Sequence, residues 1–210
     1  MFTGIIQEIG TVSQVARSRG LVRLTVTAPT TARRVVRLDS VAVDGACLTV
    51  TGVRGPLLSF DIIEETQRLT SLRRLRAGAR VNLEPSLALS DRLNGHIVLG
   101  HVDGTGTVVK RRQLASELVL EIRVPRALRA LLVPKGPVTV DGVSLTVGAR
   151  LGTATFQVHL IPETLRQTTL MARQPGDPVN LELDYLAKLV REWMGSLSGV
   201  GRATARPRRV

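Results

Sequence analysis

VAVDGACLTV (41–50) recurs as VTVDGVSLTV (138–147), at an offset of 97 residues. Three further blocks follow the same rule in the same order. FDIIEETQRLTSL (60–72) returns as VHLIPETLRQTTL (158–170) and GARVNLE (78–84) as GDPVNLE (176–182), both at 98. IIQEIGTV (5–12) has its partner in HVDGTGTV (101–108), at 96. A one-residue drift between blocks is the mark of short loop insertions between matching strands, so the chain is one unit of roughly 95 residues written twice.

Each copy reads as short strands. Leu118, Leu120, Ile122 and Val124 alternate with Val119, Glu121 and Arg123, as do Phe156, Val158 and Leu160 with Gln157 and His159, and Val22, Leu24 and Val26 with Arg23 and Thr25. Period-two patterning punctuated by Asp-Gly, Asn-Gly and Pro-Gly pairs points to an antiparallel barrel in each half. One short helix per half is expected at SLRRLRAG (71–78) and TTLMARQPG (168–176), each closing near a glycine. After the second VNLE the period changes: Leu186, Leu189, Val190, Trp193 and Leu197 form one stripe of an amphipathic helix. Asp184 stands before it as an N-cap. The stripe wants a partner, either the same helix of another subunit or the chain's own barrel. The predicted organisation is all-β with a C-terminal helix: a barrel over 1–94, a second over 95–185, a helix over 186–197 and a basic disordered tail over 198–210.

Composition narrows the partners. The net charge of +12 raises nucleic acid first. Nearly all of that charge is arginine, however, and Arg202, Arg206, Arg208 and Arg209 sit in the aperiodic end GVGRATARPRRV. Aromatics are 2% of the chain, too few for the stacking platforms of a single-strand binder. No apolar run approaches the roughly 18–20 residues that cross a membrane. MFTGIIQEIGTV has no basic segment leading into a long apolar stretch, so no signal peptide is expected. The single Cys47 allows no internal disulfide and fits a cytoplasmic setting. GHVDGTGTVVK (100–110) lacks the third glycine and following helix of a dinucleotide fingerprint. His96 and His101, five apart without a carboxylate between them, are not a helical metal pair.

Longer motifs carry a resemblance. MFTGI at the N-terminus, CLTV (47–50) with SLTV (144–147), SD-x-x-x-GH-x-x-x-GHVDGTG (90–106), KG-x-x-x-VDG-x-SLTV (135–147) and LIPETL (160–165) resemble the riboflavin synthase family over residues 1 to about 195. The resemblance implies two Greek-key barrels of similar fold and a trimer built through the C-terminal helix. It implies one 6,7-dimethyl-8-ribityllumazine held per barrel, and an active site between the N-barrel of one subunit and the C-barrel of its neighbour. The implied reaction passes a four-carbon unit between two lumazines, yielding riboflavin and 5-amino-6-(ribitylamino)uracil. It needs no metal or redox cofactor. An association with lumazine synthase is a further partner it implies.

Carried over by motif, Gly4, Ile5 and Ile6 are expected at the N-barrel pocket, with Cys47, Leu48, Thr49 and Thr66 as its other walls and Ser40 near the reacting ring. Gly100, His101 and Val102 are expected at the C-barrel pocket with Ser144, Leu145, Thr146, Leu160, Ile161 and Thr164. Lys135 and Asp184 match positions between barrels. His101 is the candidate for proton transfer, because an imidazole titrates nearest neutrality; its other reading is a structural histidine at a barrel rim. Ser144 and Cys47 occupy equivalent places and deliver or orient a nucleophile, with a small buried apolar role as the alternative for Cys47. Asp184 either orients a neighbour or caps the helix, and His96 reads as structural. The chain departs from the family pattern at Asp44, where asparagine is usual, and at Asn94, Leu99 and Pro137. The competing function is a non-catalytic lumazine- or flavin-binding antenna of the same family. Both halves here keep their pocket residues, which an antenna using one pocket does not need.

Overall fold

Alternation becomes strand wherever the apolar face has a facing layer to bury against. The structure, a computed structural model, describes residues 1–152 and 154–203, with side chains given up to residue 196. The first repeat contributes β1 (Glu8–Ser18), β2 (Leu21–Thr27), β3 (Ser40–Val43), β4 (Ala46–Arg54), β5 (Leu57–Ile63) and β6 (Arg80–Pro85). These close into a barrel in the order β1-β2-β5-β4-β3-β6, all antiparallel, with β6 returning to β1. Strands β3, β4 and β5 form a meander and β2 lies beside β5, a Greek-key connection. Leu24, Leu58, Phe60 and Ile62 fill the interior, each worth about 1.5–3 kcal/mol on full burial.

The second repeat supplies β7 (Gly104–Gln113), β8 (Leu118–Arg123), β9 (Pro137–Val140), β10 (Val143–Thr146), β11 (Arg150–Leu151), β12 (Thr155–Leu160) and β13 (Pro178–Leu183). They curl into one sheet ordered β10-β9-β13-β7-β8-β12-β11 around Leu120, Ile122, Phe156 and Leu160. The copies agree in detail. A bulge between Val12 and Gln14 in β1 is repeated between Val108 and Lys110 in β7. They differ where β4 runs unbroken through nine residues but its counterpart splits into β10 and β11. There the two edges are joined by Gly148 N–H donating to the Gln157 carbonyl (2.8 Å) and Gln157 N–H to Ala149 (2.9 Å).

The short helices fall earlier than the sequence pattern indicates. α1 (Pro29–Ala32) is a single turn; α2 (Glu64–Leu69) and α3 (Pro162–Gln167) precede the segments expected to be helical, which are 3₁₀ turns at Ser71–Arg74 and Thr169–Ala172. Thr70 and Thr168 explain the break. Both are extended, and each hydroxyl accepts the N–H two residues on, from Leu72 and Leu170, opening a new turn instead of prolonging the helix. Pro162 and the Glu64-Glu65 pair favour the earlier starts.

Two turns hold the barrels together. Asp44-Gly45 and Asp141-Gly142 lie back to back: a Cβ on Gly45 would come 2.6 Å from the Gly142 nitrogen. With φ near +80° at both glycines, no other residue fits there. Asn82 donates to the Asp141 carbonyl (2.9 Å) and Asn180 to the Asp44 carbonyl (2.8 Å), while their side-chain oxygens accept from the backbone N–H groups of Thr169 and Ser71. The α4 helix spans Tyr185–Ala203, further than the 186–197 expected, so the basic tail anticipated from 198 starts within its backbone. Residues 204–210 of that tail lie outside the described residues. Asp184 Oδ1 accepts from Leu186 N–H (3.1 Å) as a cap, and Lys188 anchors the helix on Asp103 at 2.9 Å. Leu186, Leu189, Val190, Trp193 and Met194 remain about half exposed or more. No described helix is long and apolar enough to cross a membrane.

Candidate active site

Each repeat begins with a lead-in segment before its first strand, and these segments are exchanged. Residues 2 and 98 pair antiparallel through Phe2 N–H to Val98 O (2.7 Å) and Val98 N–H to Phe2 O (3.2 Å), after which the two segments diverge to opposite barrels. Ser144 N–H donates to the Gly4 carbonyl at 2.8 Å, and Cys47 N–H to the Gly100 carbonyl at 2.9 Å. Ile6 packs against the second core and Val102 belongs to the first. The expectation that Gly4, Ile5 and Ile6 line the N-barrel pocket and Gly100, His101 and Val102 the C-barrel pocket is therefore reversed. Repeat alignment pairs each lead-in with its own unit; only the fold reveals the crossing.

The same chemistry fixes both segments. Glu84 accepts from Thr3 N–H (2.7 Å), Thr3 Oγ1 (2.8 Å) and Gly4 N–H (3.0 Å); Glu182 accepts from Leu99 N–H (2.8 Å) and Gly100 N–H (2.9 Å). Burial pushes both carboxyls above the ordinary range, against the N–H groups that favour the anion. Gly4 and Gly100 share φ of +79° and +77°, and a Cβ on either would meet the Ser144 or Cys47 Cβ at 2.6 Å. The glutamates were visible in the sequence as the repeated VNLE, but nothing in that block announces what it binds.

On the N-barrel, Cys47, Thr66, Leu69, Gly100, His101 and Val102 enclose a cavity of about 220 Å³. Cys47 is half-buried and His101 exposed. On the C-barrel, Gly4 and Ser144 hold the equivalent place, with Thr164 on α3 at the position of Thr66 on α2. Here a histidine comes in from an unexpected number. His96 Nδ1 lies 2.7 Å from Ser144 Oγ, and its backbone N–H donates to the Thr3 carbonyl (3.1 Å). Burial lowers the His96 pKa, with the Asp184 carboxylate pulling the other way. His96 was read from the sequence as structural; it is hydrogen-bonded to a candidate nucleophile.

The remaining predicted residues divide. Leu48 and Leu160 turn their side chains into the barrel cores, and Leu145 packs on the second core from its edge. Thr49, Thr146, Ile161 and Ile5 are exposed near their sites. Ser40 opens β3 opposite Thr49 and does not line the Cys47 cavity. Lys135 is exposed at φ +65°, its N–H on the Val147 carbonyl (2.9 Å); its counterpart Leu38 makes the same bond to Val50. The two halves thus differ by a lysine on the second only. Among the described residues, no group of three or more His, Cys, Asp or Glu is placed to hold a metal ion.

Comparison with known proteins agrees with this architecture. The family model described as "Lumazine binding domain" matches twice, over residues 3–86 and 99–184. The riboflavin synthase of Mycobacterium tuberculosis is 43% identical over 200 residues, covering 93% of this chain and 99% of its own. That of Bacillus subtilis is 37% identical, covering 92% and 90%. Among solved structures, LumP complexed with riboflavin superposes with a TM-score of 0.82 at 24% identity, over 88% of this chain and 100% of that one, a likeness of fold. Two lumazine-binding repeats, matched in order along nearly the whole length of curated relatives, place this chain in the riboflavin synthase family.

Proposed function

We propose that this protein is a riboflavin synthase, converting two molecules of 6,7-dimethyl-8-ribityllumazine into riboflavin and 5-amino-6-(ribitylamino)uracil. The observation that carries the reading is the pair of equivalent sites, Cys47 with Gly100 and Ser144 with Gly4, each walled by the other repeat's lead-in. A reaction joining two copies of one substrate calls for two related pockets, and holding both reactants makes the coupling effectively intramolecular, worth up to about 7–11 kcal/mol. The atoms of two substrates are the atoms of the two products, so any water that adds at C7 is returned and no oxidant is consumed.

The C7 methyl of one lumazine is acidic because its anion delocalises through the ring. A base removes that proton while a nucleophile, water or a side chain, adds at C7 of the other molecule, and the carbanion then attacks across. His101 is assigned to proton transfer at the Cys47 cavity. The imidazole of His96, hydrogen-bonded to Ser144, with burial favouring its neutral form and the Asp184 carboxylate its charged form, is assigned to the second site. Cys47 and Ser144 deliver or orient the nucleophile, with Ser40 and Lys135 supporting. The walls are the backbones at Gly4, Ile5, Ile6, Gly100, Val102, Leu48 and Leu160 with the side chains of Thr49, Thr66, Leu145, Thr146, Ile161 and Thr164. The exposed α4 stripe supports a trimer in which N- and C-barrel sites of neighbours face one another. A cytoplasmic location and an association with lumazine synthase complete the proposal. Expression in a riboflavin-requiring bacterium that lacks its own riboflavin synthase should restore growth without added vitamin; folded, lumazine-binding protein that fails to do so would favour the antenna.

A further inference from the structure

The seam between the barrels carries a second cleft, of about 480 Å³, sharing no residue with the Cys47 cavity. It straddles the internal duplication: Ser71 and its counterpart Thr169 both line it, as do Leu75 and its counterpart Arg173. Its floor is apolar, from Leu75, Ala79, Ala172 and Pro178. Its rim is cationic. Arg74, Arg76 and Arg80 line it, and their guanidinium groups have no hydrogen bond or ion pair among the described residues. Arg173 is paired with Asp141 at 2.7 Å. The one acid lining the cleft, Asp44, is buried and held largely uncharged at neutral pH, because burial raises its pKa to about 8. Thr169, 7% exposed, lines the same cleft, and its Oγ1 has no hydrogen-bond partner.

These features ask for one kind of occupant. Three unpaired guanidinium groups match a dianion better than a single carboxylate, and arginine binds phosphate through paired N–H donors. A volume of this size suits a small molecule, not a peptide. The apolar floor excludes a free inorganic ion as the best fit. We infer that the inter-barrel cleft is a binding site for an organic monophosphate, its ring on the Leu75–Pro178 floor and its phosphate on Arg74, Arg76 and Arg80.

Isothermal titration of the full-length protein with adenosine 5′-monophosphate, adenosine and inorganic phosphate tests this. The monophosphate should bind at one site per chain, at least tenfold tighter than either fragment. Arg76→Ala/Arg80→Ala should weaken it at least tenfold while leaving riboflavin binding unchanged. Equal binding of adenosine, binding untouched by the arginine pair, or no binding at millimolar concentration would overturn the inference.

Discussion

Asp44→Asn should make this protein more stable, by an amount that grows with pH. The Asp44 carboxyl is 1% exposed, and it is pushed up to about 8 first by burial, then by the neighbouring Asp141, with Arg173 pulling down. In the unfolded chain it ionises at its ordinary 3.8. A carboxyl raised in the folded state contributes its full stability only below the unfolded value, and loses it as pH climbs from about 4 to about 8. At pH 7 the gap of about 3 pKa units corresponds to at most about 4 kcal/mol, and about 2–4 kcal/mol once coupling to Asp141 and Arg173 is allowed for. Asparagine has no charge to suppress. Its amide oxygen can still accept from Asn82 N–H, now 2.8 Å from Asp44 Oδ1, and its NH₂ would face the inter-barrel cleft. Melting curves of both proteins at pH 4, 6 and 7.5 should show nearly equal transitions at pH 4 and a variant higher by about 5–15 °C at pH 7.5. A variant less stable at pH 7.5, or a gain that does not change with pH, would refute the reasoning.

The other predictions use the exchanged lead-ins and the helix. Gly100→Ala should cost more than the roughly 1 kcal/mol of an alanine at positive φ, because its Cβ would sit 2.6 Å from the Cys47 Cβ; Gly20→Ala, at φ +75° in open space, supplies the control, and equal losses in denaturant titration would contradict the packing argument. Asp184→Asn removes the charge that raises the His96 pKa, so the acid limb of kcat/KM should move to lower pH; an unchanged limb would remove His96 from the titration. Trp193→Arg, on the exposed α4 stripe, should shift sedimentation towards the monomer, and an intact oligomer would place the interface elsewhere.

The duplication and the strands were legible because repeats and period-two patterning are local properties. What escaped was long-range or local competition. The crossing of the lead-ins rests on hydrogen bonds such as Ser144 to Gly4, between residues 140 apart, and both arrangements satisfy the same local pattern. The helix placement turned on Thr70 and Thr168, whose hydroxyls outcompete the helix they interrupt. His96 reads as structural in the sequence because no residue near it marks it for Ser144, 48 positions on. Glu84 and Glu182 repeated visibly, yet a glutamate inside a strand says nothing of which N–H groups it will collect.

The central claim is that two equivalent sites couple two molecules of one substrate. It is tested most directly by mixing the purified protein with 6,7-dimethyl-8-ribityllumazine, without metal or nucleotide, and following absorbance to completion. The account predicts sustained turnover with half a riboflavin formed per lumazine consumed, and His101→Ala and Ser144→Ala each slower by at least tenfold. Tight binding with altered fluorescence but no riboflavin would contradict it.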